Sequence, residues 1–207
     1  MNKLPRTKVL ESLILARTGS QSRLGSWGFP TQNRKGKAVF FDRDGVLIED
    51  VGGLISEDQI KPILGAIQAI KKVKKAGFYT VVVSNQSVVA RGLISEEQLK
   101  KIDNTFRAIF AKSGAVIDLT CYCPHHPDFT QKCKCRKPEI GLFKKAKRDL
   151  NLSMKDSYII GDHETDIIAG RNAGCRKSVI VGQNESTADC VTKDVLLGVE
   201  WILKDYA

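Results

Sequence analysis

Residues 37–45 read Lys37-Ala38-Val39-Phe40-Phe41-Asp42-Arg43-Asp44-Gly45. The apolar run has the length of a buried strand, and the acids and glycine close it with a turn. The same punctuation recurs down the chain. Residues 78–83, 116–121, 157–160 and 177–181 also read as strands. Helical segments separate them. The first, 62–76, has Pro62 in its first turn and Gly77 just past its end. The second opens at Ser95 and runs to Lys112, with Ser95 and Gln98 at the spacing of a capping box. Others cover 139–150, a stretch through Asn172, and 193–204. Strand and helix alternating five times predict a three-layer α/β sandwich around a parallel five-stranded sheet. Ligands of such sheets bind outside the carboxyl ends of the strands.

The chain has 207 residues, 42% hydrophobic and 27% charged, the balance of a folded globular domain and not of a disordered one. No apolar run is long enough to span a bilayer. The net charge of +10 is uneven: residues 1–37 hold eight Lys/Arg and a single acid, Glu11. The expected division is a flexible basic extension over 1–36 and one domain over 37–207. Within the extension, 6–17 fit a short amphipathic helix and 25–30 a linker; no secretory pattern is present. The body is only mildly basic, so neither nucleic acid nor membrane is expected as a partner, and a cytoplasmic monomer is. Four of the six cysteines fall between 121 and 135, beside His125 and His126. In a chain without a secretory signal this clustering points to metal binding over disulfides.

Three polar clusters sit just after predicted strands: Asp42-Arg43-Asp44, Ser84-Asn85-Gln86-Ser87 and Gly161-Asp162. An Asp-x-Asp-Gly alone is equally a turn former. Parallel topology, however, would bring Asp42, Asp44 and Asp162 to one edge, where like charges are costly without a cation among them. Mg²⁺, which takes carboxylates together with phosphate and water, answers that charge. Asp42 would then be a nucleophile toward phosphorus and Asp44 the acid and base for the leaving group and water. Ser84, the N–H groups after it and Lys137 would stabilise the phosphoryl oxygens. Arg136 suits a second phosphate, though Arg136-Lys137 taken alone reads sooner as solvated basic surface.

Asp42-Arg43-Asp44-Gly45-Val46, Ser84-Asn85-Gln86-Ser87, Lys137 and Gly161-Asp162-His163-Glu164-Thr165-Asp166 resemble the four motifs of the haloacid dehalogenase (HAD) phosphatases. Residues 84–92, 123–127 and 133–138 resemble more narrowly the D,D-heptose 1,7-bisphosphate phosphatases. The resemblance runs from 37 to about 185. It implies a Rossmann-like HAD domain without a large cap and with a zinc-stapled loop at about 121–138. It implies Mg²⁺ on Asp42, Asp162 and the Asp44 carbonyl, and Zn²⁺ on Cys123, His125, Cys133 and Cys135. Three sulfurs and one imidazole are also, on chemistry alone, a closed structural zinc set. Cys121 reads as core, and only the family pattern favours His125 over His126. Arg43, Asp50, Asn85, Gln86, Ser87, Arg136 and His163 are the expected substrate contacts. The chain departs from the pattern at Val46, Val88 and His163, where Thr, Gly and Lys are usual. The implied activity is removal of the 7-phosphate of heptose 1,7-bisphosphate, feeding lipopolysaccharide-core or S-layer heptose synthesis. Histidinol-phosphate phosphatase or another small phosphosugar phosphatase is the alternative. A non-catalytic zinc-stapled binding module is the alternative of another class.

Overall fold

The computed structural model describes residues 13–16, 35–183 and 185–207. In chain order its strands are β1 (Leu13–Ala16), β2 (Ala38–Phe41), β3 (Tyr79–Asn85), β4 (Leu119–Cys123), β5 (Tyr158–Gly161), β6 (Lys177–Val181) and β7 (Cys190–Thr192). The helices are α1 (Ala66–Lys75), α2 (Glu96–Lys112), α3 (Gly141–Asp149), α4 (Glu164–Asn172) and α5 (Val195–Tyr206). One sheet runs β1-β4-β3-β2-β5-β6-β7. Every pair from β4 across to β7 is parallel, and β1 lies antiparallel on β4.

Strand β2 shows why the sheet is covered on both faces. Val39 and Phe41 point into a core shared with α1, α2 and α5; Ala38 and Phe40 point into a second core with α3 and α4. All four are fully buried, which is why the strand is uniformly apolar and not alternating. The chain builds β3 and β4 outward on one side of β2, then returns to build β5 and β6 on the other. The carboxyl end of β2 therefore borders the crevice where strand order reverses. Asp42 follows β2, Ser84 and Asn85 end β3, and Asp162 follows β5, so the three clusters meet there. The Asp42 N–H donates to the Ile160 carbonyl of β5 at 3.0 Å, which ties the first cluster to its neighbour.

Several expectations are corrected. Helix α1 starts at Ala66 and not at Pro62, because Pro62 bridges to Ile48 and Gly65 turns the chain at φ 87°. Its end is as expected: Gly77 N–H reaches Lys74 O and Phe78 N–H reaches Val73 O, a Schellman closure. Ser95 does cap α2, accepting from the Gln98 N–H at 3.1 Å. The reciprocal half of the capping box is not made, because the Gln98 amide is turned to Glu57 at 3.0 Å. Strand β4 begins at Leu119, three residues late. Residues 116–118 are held instead by Thr80, whose hydroxyl donates to Val116 O and whose N–H donates to Asp118. Strands β1 and β7 were not foreseen, and Leu13–Ala16 is extended where a helix was expected. The rest of that expected helix and the 25–30 linker lie outside the described residues. Among the described residues, no helix is long and apolar enough to cross a membrane.

Candidate active site

Asp42 and Lys137 form the centre of the strand-end crevice. Lys137 Nζ lies 3.1 Å from Asp42 Oδ1 and 2.5 Å from Asp166 Oδ1, and donates to Val83 O at 2.8 Å. Its side chain is 1% exposed. Burial alone disfavours that ammonium, but Asp166 and Asp42 outweigh it and move its pKa up. Asp42 is pushed up to about 7, first by burial and then by Asp166 and Asp44; Lys137 and a hydrogen bond with Ser84 oppose the shift. The crevice thus carries more negative charge than one lysine neutralises.

Asp44 is gripped from one side. Arg43 Nε donates to Oδ1 at 2.9 Å and Nη2 to Oδ2 at 3.0 Å, a fork on a carboxylate. Gln86 Nε2 adds a bond to Oδ2 at 2.7 Å and another to Ser84 Oγ at 3.1 Å, while Gln86 Oε1 accepts from Arg43 Nη2 at 2.6 Å. Arg43 is fully buried, whereas Gln86, 3% exposed, still borders the open crevice. Asn85 holds the Lys137 peptide: its Oδ1 accepts from Lys137 N–H at 3.0 Å and its Nδ2 donates to Lys137 O at 3.2 Å. These three side chains fasten the site from within. The N–H of Gln86, expected to face phosphoryl oxygens, donates instead to Cys123 O.

Asp162 closes the third side. A Cβ on Gly45 would meet Asp162 Oδ2 at 2.1 Å, and Gly45 has φ 74°. Only glycine permits that approach at that angle. Burial raises the Asp162 pKa, while its hydrogen bond to His163, 2.9 Å away, raises that of His163. We expect Gly45→Ala to displace this carboxylate and lower turnover about 100-fold, the usual cost of an ångström of misplacement in a site. The left-handed backbone adds roughly 1–2 kcal/mol of strain. Phosphate release and thermal unfolding measured on one sample would check both; unchanged turnover would show that Asp162 need not sit there.

Between Cys123 and Gly141 there is neither helix nor strand. Four donor atoms gather this segment. Cys135 Sγ lies 3.2 Å from Cys123 Sγ, 3.4 Å from Cys133 Sγ and 3.3 Å from His125 Nδ1. Cys123 Sγ is 3.6 Å from Cys133 Sγ and 3.7 Å from His125 Nδ1. A tetrahedral zinc with sulfurs at about 2.3 Å needs edges of about 3.8 Å, so this set fits one with small adjustment. Hydrogen bonds with Cys123, Cys133 and His125 pull the Cys135 thiol down, while its contact with Cys135 pushes Cys123 up. His126 faces Asp128 and Phe129 outside the cluster, and Cys121 is buried in the second core. The same segment delivers Arg136, whose N–H meets Cys133 Sγ at 3.4 Å and whose Nη1 donates to His125 O at 3.1 Å.

Asp42, Asp44, Asp50, Ser84, Asn85, Gln86, Ser87, Arg91, Arg136, His163 and Asp166 line a cavity of about 370 Å³, enough for a small ligand. A larger hollow of about 850 Å³ opens at the amino ends of the strands, between Lys35, Lys147 and Tyr206, away from every strand-end cluster. Asp50 Oδ1 accepts from Gly52 N–H at 2.9 Å and shapes the loop over the cavity. Val88 is buried and takes no left-handed backbone, so it fits where glycine is usual; Val46 is also buried. Sequence reasoning missed Asp166, the second partner of Lys137, which also accepts from His163 N–H at 3.1 Å. It looked like an ordinary acid in the first turn of α4. Arg91 was missed as well, although it stands inside a quoted motif.

A family model described as HAD-hydrolase-like matches residues 134–200. The D-glycero-beta-D-manno-heptose-1,7-bisphosphate 7-phosphatase of Haemophilus ducreyi is 37% identical over 172 residues, covering 77% of this chain and 94% of the relative. The protein of that name from Escherichia coli (strain K12) is 35% identical over 175 residues, covering 82% and 90%. The crystal structure of D,D-heptose 1,7-bisphosphate phosphatase from B. bronchiseptica, complexed with magnesium and phosphate, matches with a TM-score of 0.73 at 29% identity, covering 82% of this chain and 99% of that one. A non-catalytic binding module is therefore set aside. Sheet order, strand-end acids and relatives matched over nearly their whole length agree: the chain belongs to the D-glycero-β-D-manno-heptose-1,7-bisphosphate 7-phosphatase family of HAD-like phosphatases.

Proposed function

We propose that the protein removes the 7-phosphate of D-glycero-β-D-manno-heptose 1,7-bisphosphate, in cytoplasmic synthesis of activated heptose, with Asp42 as nucleophile. The observation that carries the reading is the buried Asp42–Lys137 pair at the floor of the cavity. An Asp42 oxygen forms the bond to phosphorus as the bond to the leaving sugar oxygen breaks. Asp44 gives that oxygen its proton. Asp44 then takes a proton from water, whose oxygen attacks phosphorus and releases phosphate with Asp42 restored. Lys137 and Ser84 stand against the charge on the transferring oxygens. Arg136 and Arg91, on the same cavity, offer two guanidinium forks to the phosphate that stays. Asp50, Ser87 and His163 are left as contacts to the sugar or its phosphates.

The crevice fits a hard cation: its donors are carboxylate oxygens, and burial, with Asp166 and Asp44 close by, pushes Asp42 up to about 7. Asp42, Asp162 and the Asp44 carbonyl would hold Mg²⁺, which when bound keeps Asp42 ionised and draws phosphoryl oxygens toward it. Zn²⁺ would be held by Cys123, His125, Cys133 and Cys135 and would act as a cross-link, since no ligand position stays open.

Phosphate release across a panel of sugar bisphosphates and histidinol phosphate tests this. The heptose bisphosphate should be preferred; a chelator should stop release, and Mg²⁺ but not Zn²⁺ should restore it. Preference for histidinol phosphate, or full activity without Mg²⁺, would overturn the reading.

A further inference from the structure

Helix α2 buries Leu99, Ile102, Phe106 and Phe110, and with them a carboxylate, Asp103, that is 0% exposed. An aliphatic side chain would fill that stripe without the desolvation of an acid. What Asp103 does is reach across to β4. Its Oδ1 accepts from Tyr122 OH at 2.6 Å and its Oδ2 from Thr120 Oγ1 at 3.0 Å. The Tyr122 ring, fixed by that bond, lies under the Arg43 guanidinium with Cζ 5.3 Å from the ring centroid. Arg43 in turn is the fork that sets the plane of Asp44. The orientation of the guanidinium rests on Asp44, Gln86 and Tyr122, whose ring and phenol oxygen both stand against it. The groups whose charge reaches Asp103 are Arg107 on its own helix and Arg43.

We propose that Asp103, acting through Tyr122 and Arg43, is a positioning residue that aims the Asp44 carboxylate at the leaving-group oxygen. The inference rests on the reading of Asp44 as acid and base. Its signature is the leaving group. A sugar oxygen needs the proton that Asp44 gives, whereas a nitrophenolate departs without one. kcat/KM stops at the first irreversible step, so it isolates that departure.

The test compares kcat/KM for the heptose bisphosphate and for 4-nitrophenyl phosphate in Asp103→Asn, Tyr122→Phe and Asp44→Asn. We expect the sugar-to-aryl ratio to fall about tenfold in the first two variants and by 100-fold or more in Asp44→Asn, the range of general acid catalysis. A general loosening of the fold would lower both substrates together. Equal losses in Asp44→Asn overturn the acid reading and the relay with it. A changed ratio in Asp44→Asn with none in Asp103→Asn and Tyr122→Phe overturns the relay alone. Tyr122→Phe keeps the ring and removes only the hydroxyl, so it decides the matter if Asp103→Asn does not fold.

Discussion

Asn in place of Asp42 should lower phosphate release by at least about 10⁴-fold, the scale seen when a nucleophile is removed from an otherwise intact site. The substitution is nearly isosteric, and Asp42 sits at the end of a strand whose backbone is already bonded to Ile160. The fold should therefore survive. What changes is chemistry: an amide oxygen does not form a stable bond to phosphorus, and the negative charge facing Lys137 is lost. Lys137 keeps Asp166 at 2.5 Å, so it is not left as an unpaired buried cation. Thermal unfolding should accordingly shift by only a few degrees, since about 1 kcal/mol corresponds to 2–4 °C in a chain of this size. Mass spectrometry of acid-quenched turnover should find a phosphorylated peptide containing Asp42 in the native protein and none in the variant. Turnover within tenfold of native would sink the covalent mechanism.

The second large effect is expected at the cluster of cysteines. Cys135 lies nearest its partners, within 3.4 Å of each of the other three donor atoms. Cys135→Ser should bring bound zinc from one ion per chain to near none by elemental analysis. Structural zinc in small sites is worth roughly 10–16 kcal/mol of binding free energy, part of which orders the segment that holds it. With that order lost, the unfolding temperature should fall by more than about 10 °C. Activity should fall too, by about 100-fold, although no cysteine faces the phosphate in this account. The reason is placement. Lys137 follows Cys135 by two residues, and Asn85 clamps the Lys137 peptide only if the segment arrives at the end of β3. A zinc-free variant with native turnover would show that the loop needs no metal to deliver the lysine.

Particular residues show where sequence reading succeeds and where it fails. Strand β2 was legible because both its faces are covered, so every position had to be apolar. The acids after β2 and β5 were legible because parallel connectivity forces strand ends together. The start of helix α1 was set four residues early because Pro62 obeys a local rule for first turns, while a bridge to Ile48 from another segment overrides it. Residues 116–118 carry a strand-like pattern, yet Thr80 and Lys74 take up Asp118 and start the ladder later. Arg43, Asn85 and Gln86 look alike in sequence, as polar groups beside Asp42, yet Asn85 and Gln86 line the cavity and Arg43 is buried behind it. Each also bonds another protein group, and only the three-dimensional pairing reveals it. Asp166 and Asp103 were overlooked because an acid on a helix looks solvated until its neighbours are known.

Strand β1 has a consequence for the molecule's behaviour in a crowded solution. By lying along β4, Leu13–Ala16 occupies backbone groups that would otherwise form the open rim of the sheet. A bare rim of β4 would offer a template to which another polypeptide could add. Leu13–Ala16 thus takes the place beside β4 that an added strand of another polypeptide would need, and moves the end of the sheet out to a strand of only four residues.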